Sequence, residues 1–238
     1  MELDFYNYLD LITESNVHTL IAGCTGSGKS VLLNGAVMNI LTIDGAGLYL
    51  IDPKGTELMQ YEDSVHTCAY ACSNQEILQV IHSATCEMDR RFADMRARRL
   101  RKTDKPPRFV IIDELAQFSK STNPELAEAN RDLNRLLTLG RASNIFMIAC
   151  TQRPTNDVIS PLIKVNCDCK IALRTSTPQE SRNIIQIPDA CKLPKVGFCL
   201  IRHPDFMDVQ RAPVKYYDDR TIDAFIASCG LRQTYRLH

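Results

Sequence analysis

The chain has 238 residues, with 28 lysines and arginines against 28 aspartates and glutamates, so its formal net charge is zero. That balance excludes a polycation coating nucleic acid over its whole surface; any such contact must come from local patches or from several copies acting together. At 45% hydrophobic and 24% charged residues the composition also excludes a disordered tail, and the length is ample for a sizeable core.

No apolar stretch approaches the roughly 18–20 residues that a bilayer span requires. The start, MELDFYNYLD, has neither the basic nor the apolar region of a signal peptide, so a cytoplasmic location is expected. Ten cysteines invite a disulfide or zinc reading, but Cys68 and Cys72 are four apart, Cys167 and Cys169 two apart, and no C-x-x-C pair occurs. Most of the others lie in apolar runs such as FMIAC and GFCLI, where a thiol acts as a small hydrophobe. Buried, reduced cysteines are expected.

In chain order, the first predicted strand is VHTLIAG (17–23), which runs into the glycine-rich GCTGSGKS (23–30) and then an apolar helical pattern. GLYLID (47–52) and HTCAYAC (66–72) follow as strands. SNQE (73–76) fits a capping box and opens a long helix whose one face carries Ile77, Ile81, Ala84, Met88, Phe92 and Met95. Arg90, Arg91, Arg98, Arg101 and Lys102 lie opposite that stripe. They form either a strip facing DNA or a solvated face paired as Glu87–Arg91 and Asp94–Arg98. KTDKPPR (102–108) is a loop, and RFVIID (108–113), NIFMIACT (144–151), CKIALRT (169–175) and GFCLIRH (197–203) complete the strands. TPQE (177–180) starts another helix with a capping box and proline at its first position. Apolar strands alternating with helices predict an α/β fold, a mainly parallel sheet covered by helices on both faces. With no internal repeat and no long linker, residues 1–238 are expected to form one domain.

Gly23, Cys24, Thr25, Gly26, Ser27, Gly28, Lys29 and Ser30 fit G-x-x-x-x-G-K-[ST], the pattern of a phosphate-binding loop. Glycine lets the backbone approach a ligand without a Cβ in the way, so successive N–H groups and the following helix start can face phosphate oxygens. Lys29 is then expected at the β- and γ-phosphates of ATP, and the Ser30 hydroxyl on Mg²⁺. FVIIDE (109–114) brings Asp113 to a strand's carboxyl end as a second Mg²⁺ ligand, with Glu114 next to it as the base for an attacking water. Alone, an Asp-Glu pair after a strand is ordinary loop chemistry; beside a phosphate loop it predicts hydrolysis. Gln152, in IACTQRP (148–154), ends a strand at the same sheet edge and is expected to sense the γ-phosphate, although a polar residue is common at any strand end.

Taken together, these segments resemble the motor domain of the FtsK/SpoIIIE family of DNA translocases, within the HerA–FtsK branch of P-loop ATPases. The likeness covers about residues 15–228 and rests on HTLIAGCTGSGKSVLLN, LIDPKG (50–55), EMDRRF (87–92), KIALRTSTPQESRNII (170–185) and, most specifically, GRASNIFMIACTQRPTNDVISPLIKVN (140–166). It implies a RecA-like core that assembles as a hexameric ring and moves double-stranded DNA at the expense of ATP. It also implies an arginine supplied across the subunit boundary. Arg141 is the first choice, with Arg153, Arg174 and Arg182 in the other matching segments; capping its own helix is the simpler role for Arg141. In a ring, loops 117–123 and 154–164 would converge, offering Lys120, Thr155 and Lys164 to DNA phosphates. The sequence departs from the family pattern at Cys24, where threonine is usual, and at DACKLPKVGF (189–198), which replaces a glycine-rich segment. Without a membrane-anchor or winged-helix pattern among these residues, a compact motor from a plasmid, integrative element or phage is expected. A conjugative coupling or DNA-packaging ATPase fits the same motifs, and a slow ATP-binding assembly switch is the competing class. A small-molecule kinase lacks any recognisable lid.

Overall fold

The computed structural model describes residues 5–119 and 123–231. In chain order the elements are α1 (Phe5–Thr13), β1 (Thr19–Ala22), α2 (Lys29–Leu41), β2 (Gly47–Ile51), β3 (Thr67–Ala71), α3 (Asn74–Ala97) and β4 (Arg108–Ile112). They continue with α4 (Asn130–Leu139), β5 (Ile145–Thr151), α5 (Pro161–Asn166), β6 (Cys169–Ala172), α6 (Pro178–Ile185), β7 (Phe198–Arg202), β8 (Gln210–Pro213) and α7 (Asp219–Cys229). The strands form one 8-stranded sheet in the order β3-β2-β4-β5-β1-β6-β7-β8. Pairing is parallel from β3 through β6 and antiparallel for β7 and β8.

All seven predicted strands are present. They read as continuous apolar runs because each strand face meets a different helical layer. Along β4, Phe109 and Ile111 join the core under α1, α2 and α7, whereas Val110 and Ile112 join the core under α3, α4 and α6. Each of these four side chains is fully buried, a contribution of about 1.5–3 kcal/mol apiece. Both capping boxes form, Ser73 with Glu76 and Thr177 with Glu180.

The face of α3 opposite its apolar stripe differs from the expected row of exposed arginines. Glu87–Arg91 and Asp94–Arg98 pair as anticipated, both at 3.0 Å. Arg91, however, is buried, and its guanidinium also donates to the carbonyls of Ser143, Asn144 and Pro106. It clamps α3 to the turn before β5 and cannot belong to a strip facing solvent.

No disulfide forms, and Cys150, Cys167, Cys169 and Cys199 are buried as expected; Cys68 and Cys72 are exposed, on and just beyond the edge strand β3. Among the described residues no helix is long and apolar enough to cross a membrane.

Candidate nucleotide site

β1 lies mid-sheet between β5 and β6, strands that come much later in the chain. This is the kind of topological switch point where the carboxyl ends of parallel strands open into a crevice. Gly23 follows β1 directly, and a Cβ there would come within 2.7 Å of both Leu173 Cβ and Ser27 Oγ. Only glycine fits so tight a turn. At the loop's far end Gly28 has φ +96° and precedes α2 with no side chain capping it. The first-turn N–H groups of α2 are therefore directed at whatever anion lies over the loop.

Strand register places the remaining groups. Ala22 is level with Thr151 across the β1–β5 pair, and Ile112 with Ala149 across β4–β5. One and two residues on, Asp113 and Glu114 reach the level of Cys150 and Thr151, beside the phosphate loop. Lys29 is 4% exposed; its ammonium bonds to Asp113 Oδ1 and donates to the Asp113 carbonyl at 3.0 Å. Burial works against the Lys29 charge, but the Asp113 carboxylate, by charge and by hydrogen bond, with Glu57 also contributing, outweighs it and holds its pKa above the ordinary lysine value. Burial pushes the Asp113 carboxyl upward, with Lys29 opposing. Burial likewise pushes the Cys150 thiol up to about 12, so it stays neutral.

Asp113 Oδ2 is buried with no hydrogen-bond partner, as is Ser27 Oγ. An orphaned carboxylate oxygen costs free energy unless a ligand satisfies it. Together with the Ser30 hydroxyl it makes a small set of hard oxygen donors, the chemistry Mg²⁺ selects when phosphates and water complete its shell. The residues present fit that ion.

Glu114 is buried against the end of β5, accepting from Thr151 Oγ1 at 2.7 Å, the Ala116 N–H at 3.2 Å and the Gln152 N–H at 3.1 Å. The Gln152 side chain accepts from the Thr25 hydroxyl at 2.9 Å, which joins the expected sensor to the phosphate loop. Cys24, Gly28, Lys29, Ser30, Gln152 and Val196 line a cleft of about 270 Å³. At Ser30 and Val31 it adjoins a second cavity of about 420 Å³, bordered by Met59 and the exposed ring of Tyr216. No motif in the sequence marks that second cavity, because its walls come from segments far apart in the chain.

The other candidates are dispersed. Arg141 lies at the opposite sheet edge, before β5, half-exposed and paired with Asp168. Arg153, Arg174 and Arg182 are exposed; the Arg174 carbonyl accepts the Cys24 N–H at 2.8 Å, next to its own phosphate loop. Lys120 lies outside the described residues. Thr155 is half-buried in a turn, its carbonyl accepting from Val158 and Ile159, and Lys164 on α5 donates to Asn156 Oδ1 at 2.8 Å. The loops that carry these residues do approach one another. Phe118 and Ser119 face Asp157, Val158 and Ser160 across a cavity of about 350 Å³.

Comparison with known proteins follows the same lines. The profile of the FtsK/SpoIIIE family matches residues 6–189. DNA translocase FtsK of Treponema pallidum (strain Nichols) is 34% identical over 229 residues, covering 88% of this chain and 28% of that protein. The chain thus spans under a third of the length of such curated relatives. Among solved structures, the pCW3 conjugation coupling protein TcpA, determined with ATPγS, superposes with a TM-score of 0.78 at 25% identity, over 90% of this chain and 65% of that one. The genome packaging NTPase B204 from Sulfolobus turreted icosahedral virus 2 shares the fold, with a TM-score of 0.54 at 17% identity over 84% of this chain and 98% of that one.

Proposed function

This chain belongs to the FtsK/SpoIIIE family, and from that premise we propose that it is an ATP-hydrolysing motor domain, residues 1–238, that moves double-stranded DNA. It works in the cytoplasm as a ring of identical copies, a hexamer. The observation that carries the hydrolytic part is the register that sets Asp113 and Glu114 beside the phosphate loop, with Gln152 bonded to Thr25. The DNA part is supported by the naming of relatives as DNA translocases.

In this reading the loop N–H groups, Lys29 and the α2 start hold the phosphates, and the base lies in the adjoining cavity between Met59 and Tyr216. Ser30 and Asp113 would hold Mg²⁺, which would supply positive charge to offset that of the phosphates. With ATP bound, the Lys29 ammonium would serve the phosphates, and the Asp113 carboxylate, whose Oδ2 has no partner, would be free to hold that ion. Glu114 receives the proton of the attacking water, and Gln152 reports the γ-phosphate. Arg141 is too far from its own phosphate loop to act there: β5, seven residues at about 3.3 Å each, separates the two edges. That placement suits a guanidinium offered to a neighbour's site. A second reading, a conjugative coupling ATPase, is favoured by the likeness to TcpA and shares every residue role. A slow assembly switch is disfavoured, because it needs neither Glu114 nor Gln152.

Translocation is tested by third-strand displacement. The chain with ATP and Mg²⁺ should strip a third strand from a triplex-bearing duplex, and Lys29→Ala should not. An intact triplex while ATP is being hydrolysed would overturn the motor reading.

A further inference from the structure

Glu114 is 6% exposed and three donors reach it. An ionised carboxylate offers about four lone-pair sites. The Thr151 hydroxyl and the Ala116 N–H fill both sites of Oε1, and the Gln152 N–H fills one of Oε2. One site on Oε2 remains. Two of the three donors are backbone groups that any residue would supply at those positions; among the described residues Thr151 is the side-chain donor. The bond is 2.7 Å long and buried, where hydrogen bonds are strong and geometry is tightly held.

We propose that Thr151 is a positioning residue for hydrolysis: its hydroxyl fixes the plane of the Glu114 carboxylate so that the remaining lone pair of Oε2 meets the attacking water. The inference rests on the reading of Glu114 as the general base. In the step itself, the water oxygen bonds to the γ-phosphorus, the bond to the bridging oxygen breaks with its electron pair leaving on ADP, and Glu114 takes the water's proton. Thr151 exchanges no proton. Its oxygen also accepts the Arg153 N–H at 3.0 Å, so one hydroxyl ties the base to the chain leaving β5 for the 154–160 loop. Valine has nearly the same shape without the donor, and serine keeps the donor without the methyl group.

The test is steady-state ATP hydrolysis by the full chain with duplex DNA present, comparing Thr151→Val, Thr151→Ser and Glu114→Gln. Thr151→Val should lower kcat roughly 10- to 100-fold, with KM for ATP within about twofold of the parent. Thr151→Ser should recover most of the loss. Full turnover by Thr151→Val overturns the inference, and so does a Thr151→Ser variant as slow as Thr151→Val. A kcat loss accompanied by a collapse of ATP binding or of melting temperature also overturns it, since Thr151 would then hold the site together rather than aim the base. Normal turnover by Glu114→Gln would remove the base reading and this inference with it. An inactive Glu114→Gln beside a fully active Thr151→Val would defeat this inference alone.

Discussion

Two buried cations, Lys29 and Arg91, sit at opposite edges of the sheet and are held in opposite ways. Arg91 is 3% exposed and its guanidinium is engaged by Glu87 and three main-chain carbonyls from two other segments. Lys29 is 4% exposed, yet both its partners are atoms of one residue, Asp113, whose second carboxylate oxygen has no partner. A buried charge enclosed by fixed acceptors is a structural clamp. A buried charge lining an open cleft, with one exchangeable partner, is ready to pass to a ligand. The amino edge of the sheet holds the fold together, and the carboxyl edge keeps binding capacity in reserve.

The largest expected effect is at the clamp. Arg91→Ala should lower stability by about 2–5 kcal/mol, because it removes the donor to the buried Ser143 carbonyl and the Pro106 carbonyl and leaves Glu87 with Arg90 alone, while any folded fraction binds ATP normally. Denaturant unfolding with nucleotide titration checks this, and a stability loss under 1 kcal/mol would erase the distinction between the two cations. Next comes His18, also at the amino edge, whose Nδ1 accepts the Met147 N–H at 2.8 Å. Burial, with the nearby charge of Arg141, takes its pKa down to about 4, against about 6.5 unfolded. Between these values the unfolded chain binds a proton that the folded chain refuses. Stability is therefore complete above about pH 6.5 and falls by up to about 3 kcal/mol as pH drops toward 4. His203, lowered by burial in the same direction, adds to that limb. His18→Asn keeps an acceptor without the titration, so urea unfolding at pH 7 and near pH 4 should show a shallower acid loss; an unchanged one would assign it elsewhere.

Smaller in stability but sharper in function, Lys29→Ala should weaken ATP binding roughly 100-fold, about 2.7 kcal/mol. It should melt closer to the parent than Arg91→Ala does, since truncating Lys29, which lines the cleft, opens a path for water to the Asp113 carboxylate. The smallest signal comes from mixing. Arg141→Ala and Lys29→Ala chains, each inactive, should regain a fraction of hydrolysis together, because some interfaces pair an intact phosphate loop with an intact arginine. No recovery in rings shown to be mixed would confine Arg141 to its pair with Asp168.

The sequence disclosed the carboxyl edge better than the amino edge, and the reason is locality. Gly23–Ser30, Asp113, Glu114 and Gln152 are short strings attached to strand ends, so motif and apolar run together put them at one edge. Arg91 looked exposed because helical periodicity counts positions around α3 and is blind to carbonyls 15, 52 and 53 residues away. Thr151 needed the β4–β5 register before its hydroxyl could be placed on Glu114. Strand β8, Gln210–Pro213, went unread for a different reason: it is a sheet edge with one buried side chain, Ala212, and gives no apolar run. Helices α1 and α7 lacked any motif to draw attention to them.

The most direct test of the account is the ATPase rate of the chain with and without double-stranded DNA of arbitrary sequence. A DNA motor should hydrolyse slowly alone and many times faster on any duplex, with the stimulation fading steeply as salt rises. A rate indifferent to duplex would contradict the motor and leave a nucleotide-driven assembly switch in its place.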